Sequence, residues 1–244
     1  DPELEVVFGG YNNLGKLFAI NSDSSNVDGF PIEINEKIKA GVALADFNND
    51  GEDDIVFGTD DGNIYLYYSD GSVAEGFPFQ ADGKFWAPLS IYESETTGDM
   101  MILGGTTNEK YYCIDKTGQL VFEMETEGDV STSTSFLETA EEQVILFGTK
   151  VGYVYALHLD GSSLPGWPQN MGYDISATPL IADLNNDGTP DIIIGDEGGN
   201  ITAIKLDGAT LNYFPINNGF AIKCSPLIVD TDDDGDLEII YGTT

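Results

Sequence analysis

The feature that most restricts the fold of this chain is a short apolar run, ending in glycine, that returns at a nearly constant interval. The closing glycines lie 44 to 49 residues apart along the 244 residues. They are Gly9, Gly58, Gly104, Gly148, Gly195 and Gly242. Self-similarity at a fixed period indicates that one supersecondary unit is repeated along the chain.

Each period runs through the same order of events. After the glycine come a polar turn, an alternating apolar segment such as 64–67, an Asp-Gly turn and an aromatic-proline pair. The pairs are Phe30-Pro31, Phe77-Pro78, Trp167-Pro168 and Phe214-Pro215. An apolar segment then leads into the next polar loop. We interpret the aromatic-proline pairs as wedges in the core between neighbouring units.

The segments predict an all-β fold. They are short, rich in Val, Ile, Phe and Tyr, and separated by Gly, Asn and Asp, with no helical period. Four short strands in roughly 45 residues are typical of a β-propeller blade. A β-helix uses shorter repeats, and an immunoglobulin-like sandwich does not repeat at this period. We predict four-stranded antiparallel blades, five to six blade equivalents, with residues 1–244 forming a single propeller domain or a segment of one.

The charge is strongly one-sided and excludes some partners. The net charge is −34, and all nine basic residues are lysine. Such a surface repels nucleic acid and anionic lipid. No apolar run reaches the ~18 residues of a membrane helix, so we expect no membrane insertion. The many carboxylates have two compatible explanations: adaptation of the surface to salty surroundings, and metal binding by some of them.

Three acidic loops share the spacing D-x-[DN]-x-D-G-x-x-[DE], and we name them loop 1 (46–54), loop 2 (183–191) and loop 3 (230–238). Oxygen ligands at positions 1, 3 and 5, the backbone carbonyl of position 7 and a carboxylate at position 9 can surround one hard cation. The candidate ligands are Asp46, Asn48, Asp50, Glu52 and Asp54; Asp183, Asn185, Asp187, Thr189 and Asp191; and Asp230, Asp232, Asp234, Asp236 and Glu238.

Calcium is the ion that fits these loops best. Calcium takes six to eight oxygen ligands in flexible geometry, whereas magnesium prefers to keep several waters. The loops contain no His or Cys, the ligands that zinc and copper favour. An EF-hand would need a glutamate at position 12, where Phe57, Ile194 and Tyr241 stand inside apolar runs. The sequence therefore predicts three calcium sites that are not EF-hands.

The repeat with these loops resembles the FG-GAP repeat of integrin α-subunit propellers and of many secreted bacterial proteins. The resemblance implies that each loop joins the inner two strands of a blade and binds calcium. It carries over as ligands the side chains at positions 1, 3, 5 and 9, with Glu238 departing from the usual aspartate. It also implies an extracellular, secreted or cell-surface location, in keeping with the weak calcium affinity of extracellular modules.

Two blades lack the acidic loop. Counting back from the repeat glycine puts unsuitable residues at positions 1, 3, 5 and 9. They are Tyr92, Ser94, Thr96 and Met100 in one blade, and Phe136, Glu138, Ala140 and Val144 in the other. Calcium is therefore expected on some blades and not on others.

No catalytic constellation stands out, and we expect no enzymatic activity. The one histidine, His158, lies in an alternating apolar segment where the equivalent repeat residues are Tyr68 and Lys205. A structural role is favoured for it. Cys113 and Cys224 stand in unrelated contexts and form no metal pair, so buried free thiols are favoured over a disulfide.

The resemblance places any ligand face on the side opposite the metal loops. The turns on that side include residues 11–13, 60–61, 106–108 and 196–197, which are either solvated or able to bind a cationic or neutral surface. A module binding a protein or glycan at the cell surface is the first hypothesis. A structural unit of a surface array or filament, and a non-catalytic domain of a larger secreted hydrolase or lyase, are the alternatives.

The two ends of the sequence match one another. Aligning residues 1–9 with 234–242 puts Asp1 at loop position 5 and Glu5 at position 9. We therefore expect a fragment of a longer chain with an imperfect blade at the seam. An alternative is a building block whose missing strand comes from a neighbouring copy, which would be self-assembly through the terminal strands.

Overall fold

The chain is described by a computed structural model that covers residues 5–12, 15–95, 97–139 and 143–244. Its regular structure in these ranges is entirely β, in twenty-one strands. It separates into two compact units, Asp1–Glu125 and Thr126–Thr244. The prediction of an all-β fold is confirmed.

Unit 1 holds eleven short strands. They are β1 (Val6–Gly9), β2 (Lys16–Ile20), β3 (Ile32–Glu33), β4 (Ala43–Ala45), β5 (Asp54–Gly58), β6 (Asn63–Tyr67), β7 (Phe79–Gln80), β8 (Ser90–Glu93), β9 (Met100–Gly105), β10 (Lys110–Asp115) and β11 (Leu120–Glu125).

Unit 2 holds ten strands of similar length. They are β12 (Ser135–Glu138), β13 (Gln143–Gly148), β14 (Tyr153–His158), β15 (Gln169–Asn170), β16 (Leu180–Ala182), β17 (Asp191–Gly195), β18 (Asn200–Ile204), β19 (Ile216–Asn217), β20 (Leu227–Val229) and β21 (Glu238–Ile240).

Consecutive strands pair antiparallel into six sheets. Four sheets are four-stranded: β4 to β7, β8 to β11, β12 to β15 and β16 to β19. The other two are incomplete, with the order β1-β2-β3 and the pair β20-β21. The predicted four-stranded antiparallel blades and five to six blade equivalents are therefore confirmed. The grouping of residues 1–244 into one propeller domain stays a prediction.

Five of the repeat glycines are explained by close packing; a Cβ added to Gly242 would meet only Sγ of Cys224, at 3.5 Å. A Cβ added to Gly58 would lie 2.4 Å from Cβ of Phe85, which precedes the next sheet. A Cβ on Gly195 would lie 2.8 Å from Cγ2 of Ile222. Real Cβ atoms do not approach so closely, so these positions admit only glycine without local rearrangement.

The aromatic residues of the aromatic-proline pairs pack in the hydrophobic clusters, as predicted, whereas Pro78, Pro168 and Pro215 are exposed. Phe30 is buried in one cluster with Ile55 and Phe57 of the following sheet. Trp167 is buried, and its Nε1 donates to the Leu206 carbonyl of the following sheet at 2.7 Å. The peptide bonds before all four prolines are cis.

The cysteines are both free, and one of them corrects the sequence prediction. Cys113 is fully buried in β10, whereas Cys224 is exposed. The expectation of two buried thiols is therefore wrong for Cys224, whose strand-free segment leaves it open to solvent. His158 ends β14 opposite Val144, an ordinary strand position.

Candidate metal loops

The three acidic loops occupy one structural position, between the first two strands of a sheet. Loop 1 joins β4 to β5, loop 2 joins β16 to β17, and loop 3 joins β20 to β21. Position 1 directly follows the first strand, and position 9 is the first residue of the second. Both flanking strands are paired to each other, so the loop ends are held close together.

Carboxylates hold the backbone of loop 1 in its tight curve. Asp46 at position 1 accepts the N–H of Asp50 through Oδ1 at 3.1 Å and that of Gly51 through Oδ2 at 2.9 Å. Asp54 at position 9 accepts the N–H of Phe47 at 2.9 Å. The first and last ligands of the predicted set therefore also fix the loop's shape.

The same hydrogen-bond framework recurs in the other two loops. Position 1 accepts the N–H groups of positions 5 and 6 in each loop, and position 9 accepts the N–H of position 2. The residues at positions 4 and 6 have positive φ throughout; they are Asn49, Gly51, Asn186, Gly188, Asp233 and Gly235. A shared conformation at three independent sequences indicates a shared requirement and not a chance turn.

The carboxylates at position 9 of loops 1 and 2 are buried. Asp54 and Asp191 have no exposed surface, and burial raises the pKa of each carboxyl above its ordinary value. Asp54 receives the N–H of Phe47 on one oxygen and that of Ser69 on the other. Asp191 Oδ2 accepts the N–H of Leu184 at 3.1 Å, but Oδ1 has no partner among the described residues.

The unpartnered oxygen of Asp191 is the observation that best tests whether a cation fits. A buried acceptor without a donor costs free energy and calls for an explanation. After burial, the N–H of Leu184 and the charge of Lys205 lower the pKa of Asp191, and the negative charges of Asp187 and Asp183 raise it by smaller amounts. A divalent cation could accept the buried Oδ1 of Asp191 as a ligand and neutralise the neighbouring carboxylates of loop 2.

In loop 2 a lysine ammonium forms an ion pair with a predicted metal ligand, a contact that was not predicted from the sequence. The ammonium of Lys205 forms an ion pair with Asp187, and it lies 3.3 Å from Oγ1 of Thr189. The hydrogen bond from Lys205 is the main reason why the pKa of Asp187 lies far below its ordinary value. Lys205 follows β18, one step beyond the Ile192–Ile204 pair, so the strand register would have predicted it.

Loop 3 is the loop in which carboxylates converge. Among the described residues, one group of three acidic side chains has ligand oxygens within 4.8 Å of one another: Asp230, Asp232 and Glu238. Glu238 reaches back through Oε2 to the backbone N–H of Thr231 at 2.7 Å. The longer glutamate thus takes the role of aspartate at position 9.

The remaining predicted ligands are exposed on the loops. In loops 1 and 2 the carboxylates and amides of positions 3 and 5 bind backbone N–H groups; Asn48 and Asn185, for example, accept from Asp50 and Asp187. The residues at position 7, Glu52, Thr189 and Asp236, donate their N–H to the carboxylate at position 5.

The two blades without an acidic loop have a shorter connection, which corrects the sequence register. Eight residues separate the cross-strand pair Ala45–Asp54 of loop 1. Six residues separate the equivalent pairs Glu93–Met100 and Leu137–Val144. Tyr92 and Phe136 are therefore strand residues, and their assignment to position 1 is wrong; the equivalents of position 1 are Ser94 and Glu138.

A few of the predicted positions lie outside the described residues. They are Asp1 in the alignment of the two ends, Asn13 in the first turn, and Thr96 and Ala140 in the blades without an acidic loop. Among the described residues, no helix is long and apolar enough to cross a membrane.

Comparison with known proteins establishes the fold. No protein-family profile and no curated protein sequence matches the chain. Saccharomyces cerevisiae Sqt1 is similar in structure, with a TM-score of 0.75, 10% identity, and coverage of 97% of this chain and 66% of that one. BBS1N, solved in complex with ARL6DN, gives a TM-score of 0.62 at 12% identity, covering 98% of this chain and 74% of that one.

BamB from Moraxella catarrhalis is a third similar structure. Its TM-score is 0.60 at 15% identity, with 90% of this chain and 65% of that one covered. All three are β-propellers, and the described sheets of this chain have the blade organisation of that fold. The predicted β-propeller class is confirmed.

Proposed function

We propose that this chain is an extracellular, calcium-binding β-propeller that serves as a binding or scaffolding module, and that it is FG-GAP-like in its metal loops. The propeller fold is compatible with such a role, and the sequence resemblance suggests the calcium and the location. The observation that carries the proposal is the hydrogen-bond framework common to loops 1, 2 and 3, together with the buried Oδ1 of Asp191 in loop 2, which has no partner among the described residues.

Calcium would contribute charge neutralisation at these loops. The residues that would hold it are the carboxylates and amides of positions 1, 3, 5 and 9 and the carbonyl of position 7. Without a cation, several carboxylates on a nine-residue loop repel one another. Because each loop ties two paired strands together, its neutralisation would stabilise the blade that carries it.

A calcium titration by isothermal calorimetry tests this proposal. We expect three ions per chain. Asp183→Asn keeps one of the two oxygens that accept the N–H groups of Asp187 and Gly188. It removes the other oxygen and the negative charge, so it should lower the count to two. Ser94→Ala, at the position-1 equivalent of a blade with the short connection, is the matched control and should leave three. Equal counts in both variants would contradict the assignment of loop 2.

We propose that the module binds a protein or a glycan partner and has no catalytic activity. The absence of arginine and the single histidine at the end of β14 support this reading. Turnover of a peptide, ester or polysaccharide substrate that His158→Ala abolishes would contradict it.

Self-assembly through the terminal strands is a second candidate, favoured by an unpaired strand edge. Among the described residues, β1 pairs with β2 alone in its three-stranded sheet, and Val6 and Phe8 are exposed. Free edges are templates for pairing with another chain. Light scattering over a hundredfold range of concentration, roughly 1–100 µM, should show growth of the particle; a constant monomer mass would exclude it.

A further inference from the structure

We propose that Asn186, at position 4 of loop 2, is a positioning residue for the calcium site of loop 3, and that it couples these two neighbouring sites. The proposal rests on the calcium binding proposed above and adds a contact between loops that the ligand pattern does not include. The side chain of Asn186 reaches across to loop 3. Its Nδ2 lies 3.2 Å from Oδ1 of Asp236 and 3.4 Å from the carbonyl oxygen of Gly235.

Loops 2 and 3 are carried by consecutive sheets of unit 2 that share one hydrophobic cluster. Ile193 and Ala203 of the sheet β16 to β19 are buried in this cluster, and Ile228 and Ile239 of the pair β20-β21 pack against it. Leu184, at position 2 of loop 2, packs against the same cluster. Apolar packing therefore fixes the bases of the two loops side by side, so a side chain of one loop can reach the other.

Asn186 has the backbone conformation and the side-chain chemistry that this contact needs. Its φ is +54°, in the left-handed region that asparagine tolerates better than most residues. Its amide can donate hydrogen bonds, whereas the carboxylate of Asp233, at the same position of loop 3, cannot. Asn49 has the same conformation in loop 1, but the next sheet along the chain carries the shorter connection in place of an acidic loop.

The contact restrains the peptide unit that joins Gly235 to Asp236. The carbonyl of Gly235 accepts from Asn186, and the N–H of Asp236 donates to Oδ1 of Asp234 at 2.9 Å. Asp234 is the ligand predicted at position 5 of loop 3, and the carbonyl of Asp236 is the ligand predicted at position 7. The amide of Asn186 therefore orients a segment that supplies one predicted ligand and holds another in place.

The same contact makes the two sites interdependent. Asn186 stands between two predicted ligands of loop 2, Asn185 and Asp187, so its backbone is more restrained when those ligands are engaged. A restrained Asn186 orders loop 3 at a lower entropic cost, and the coupling acts equally in both directions. Cations in neighbouring loops also repel one another. The contribution of Asn186 is therefore measured as the difference made by removal of its side chain.

A calorimetric calcium titration of the full chain, with loops 1 and 2 disabled by Asp46→Asn and Asp183→Asn, isolates loop 3. Asn186→Gly in this background removes the amide and keeps the loop conformation, because glycine adopts positive φ freely. We expect the calcium affinity of loop 3 to fall about two- to tenfold, the usual effect of a lost hydrogen bond. Asn49→Gly, the same change at position 4 of loop 1, is the matched control and should alter it less than about twofold. With loop 2 left active, the loss caused by Asn186→Gly should be larger, and an equal loss would contradict the coupling.

The outcomes separate the role of Asn186 from the calcium proposal. A chain with loop 3 alone active that binds no calcium would contradict both. Equal calcium affinity with and without Asn186→Gly would overturn the role of Asn186 and leave the metal loops in place. Asp236→Ala removes the acceptor side chain and gives a second route to the same contact. Combined with Asn186→Gly, it should weaken binding by less than the product of the two single effects, and independent effects would overturn the contact.

Discussion

At the scale of single residues, Lys205 decides how loop 2 differs from loop 1. Its ammonium pairs with Asp187, a predicted ligand, and so competes with any ion that needs that carboxylate. The equivalent residue beside loop 1 is Tyr68, whose uncharged side chain cannot form such an ion pair. Two loops with the same ligand pattern are therefore expected to differ in calcium affinity.

Lys205→Gln should tighten calcium binding at loop 2. Removal of the internal cation frees Asp187 for the metal, and since the pair is partly exposed we expect a gain of about two- to fivefold. The measurement is a calorimetric calcium titration in which loops 1 and 3 are disabled by Asp46→Asn and Asp230→Asn. Lys223→Gln, which removes a lysine paired with Glu197 and not with a metal loop, is the control. Unchanged or weaker affinity in Lys205→Gln would contradict this role.

The two thiols should differ in reactivity. Cys113 is fully buried, and burial, followed by the nearby charge of Asp115, raises the pKa of its thiol to about 12. The thiolate is the reactive form, so Cys113 should be inert in the native state, whereas Cys224 is exposed. Labelling with iodoacetamide near pH 8 should modify one thiol per native chain and two after denaturation. Native labelling that persists in Cys224→Ser would contradict this assignment.

At the scale of the strand, the repeat glycine sets the packing between neighbouring sheets. Gly58 ends β5, and an added Cβ would meet the Phe85 side chain at 2.4 Å. Gly58→Ala should therefore destabilise the fold by ~1–3 kcal/mol, the usual cost of overpacking. Gly41→Ala is the control, since its nearest neighbour is Cγ of Pro88 at 3.8 Å and its φ is not positive. Urea denaturation measures both, and equal midpoints would contradict the packing explanation.

Strands and acidic loops could be predicted from the sequence because both follow from local patterns. Period-two alternation and repeat spacing define the strands, and Asn or Asp at position 4 and Gly at position 6 define the turn. The shorter connections after Glu93 and Leu137 could not be found by counting from the glycine. The exposure of Cys224 and the ion pair of Lys205 with Asp187 depend on contacts between distant segments, which no local pattern encodes.

At the scale of the whole molecule, calcium is expected to stabilise individual blades of a fold whose hydrophobic core forms without it. Most of the largest buried side chains lie on the strands and not in the loops; Phe57, Tyr111 and Phe147 are examples. Blades with the shorter connection are complete four-stranded sheets in their own right. Removal of calcium should therefore lower the stability without abolishing the β-structure.

The measurement that tests the calcium account most directly is a thermal unfolding curve of the chain in EDTA and in millimolar calcium. Ion at a hundredfold excess over Kd stabilises the folded state by ~2.7 kcal/mol per site. For a chain of this size, one such site raises Tm by roughly 5–10 °C. We predict at least this rise in calcium, a smaller one in magnesium, and a reduced one in Asp183→Asn. Identical midpoints in EDTA and in calcium would contradict the account.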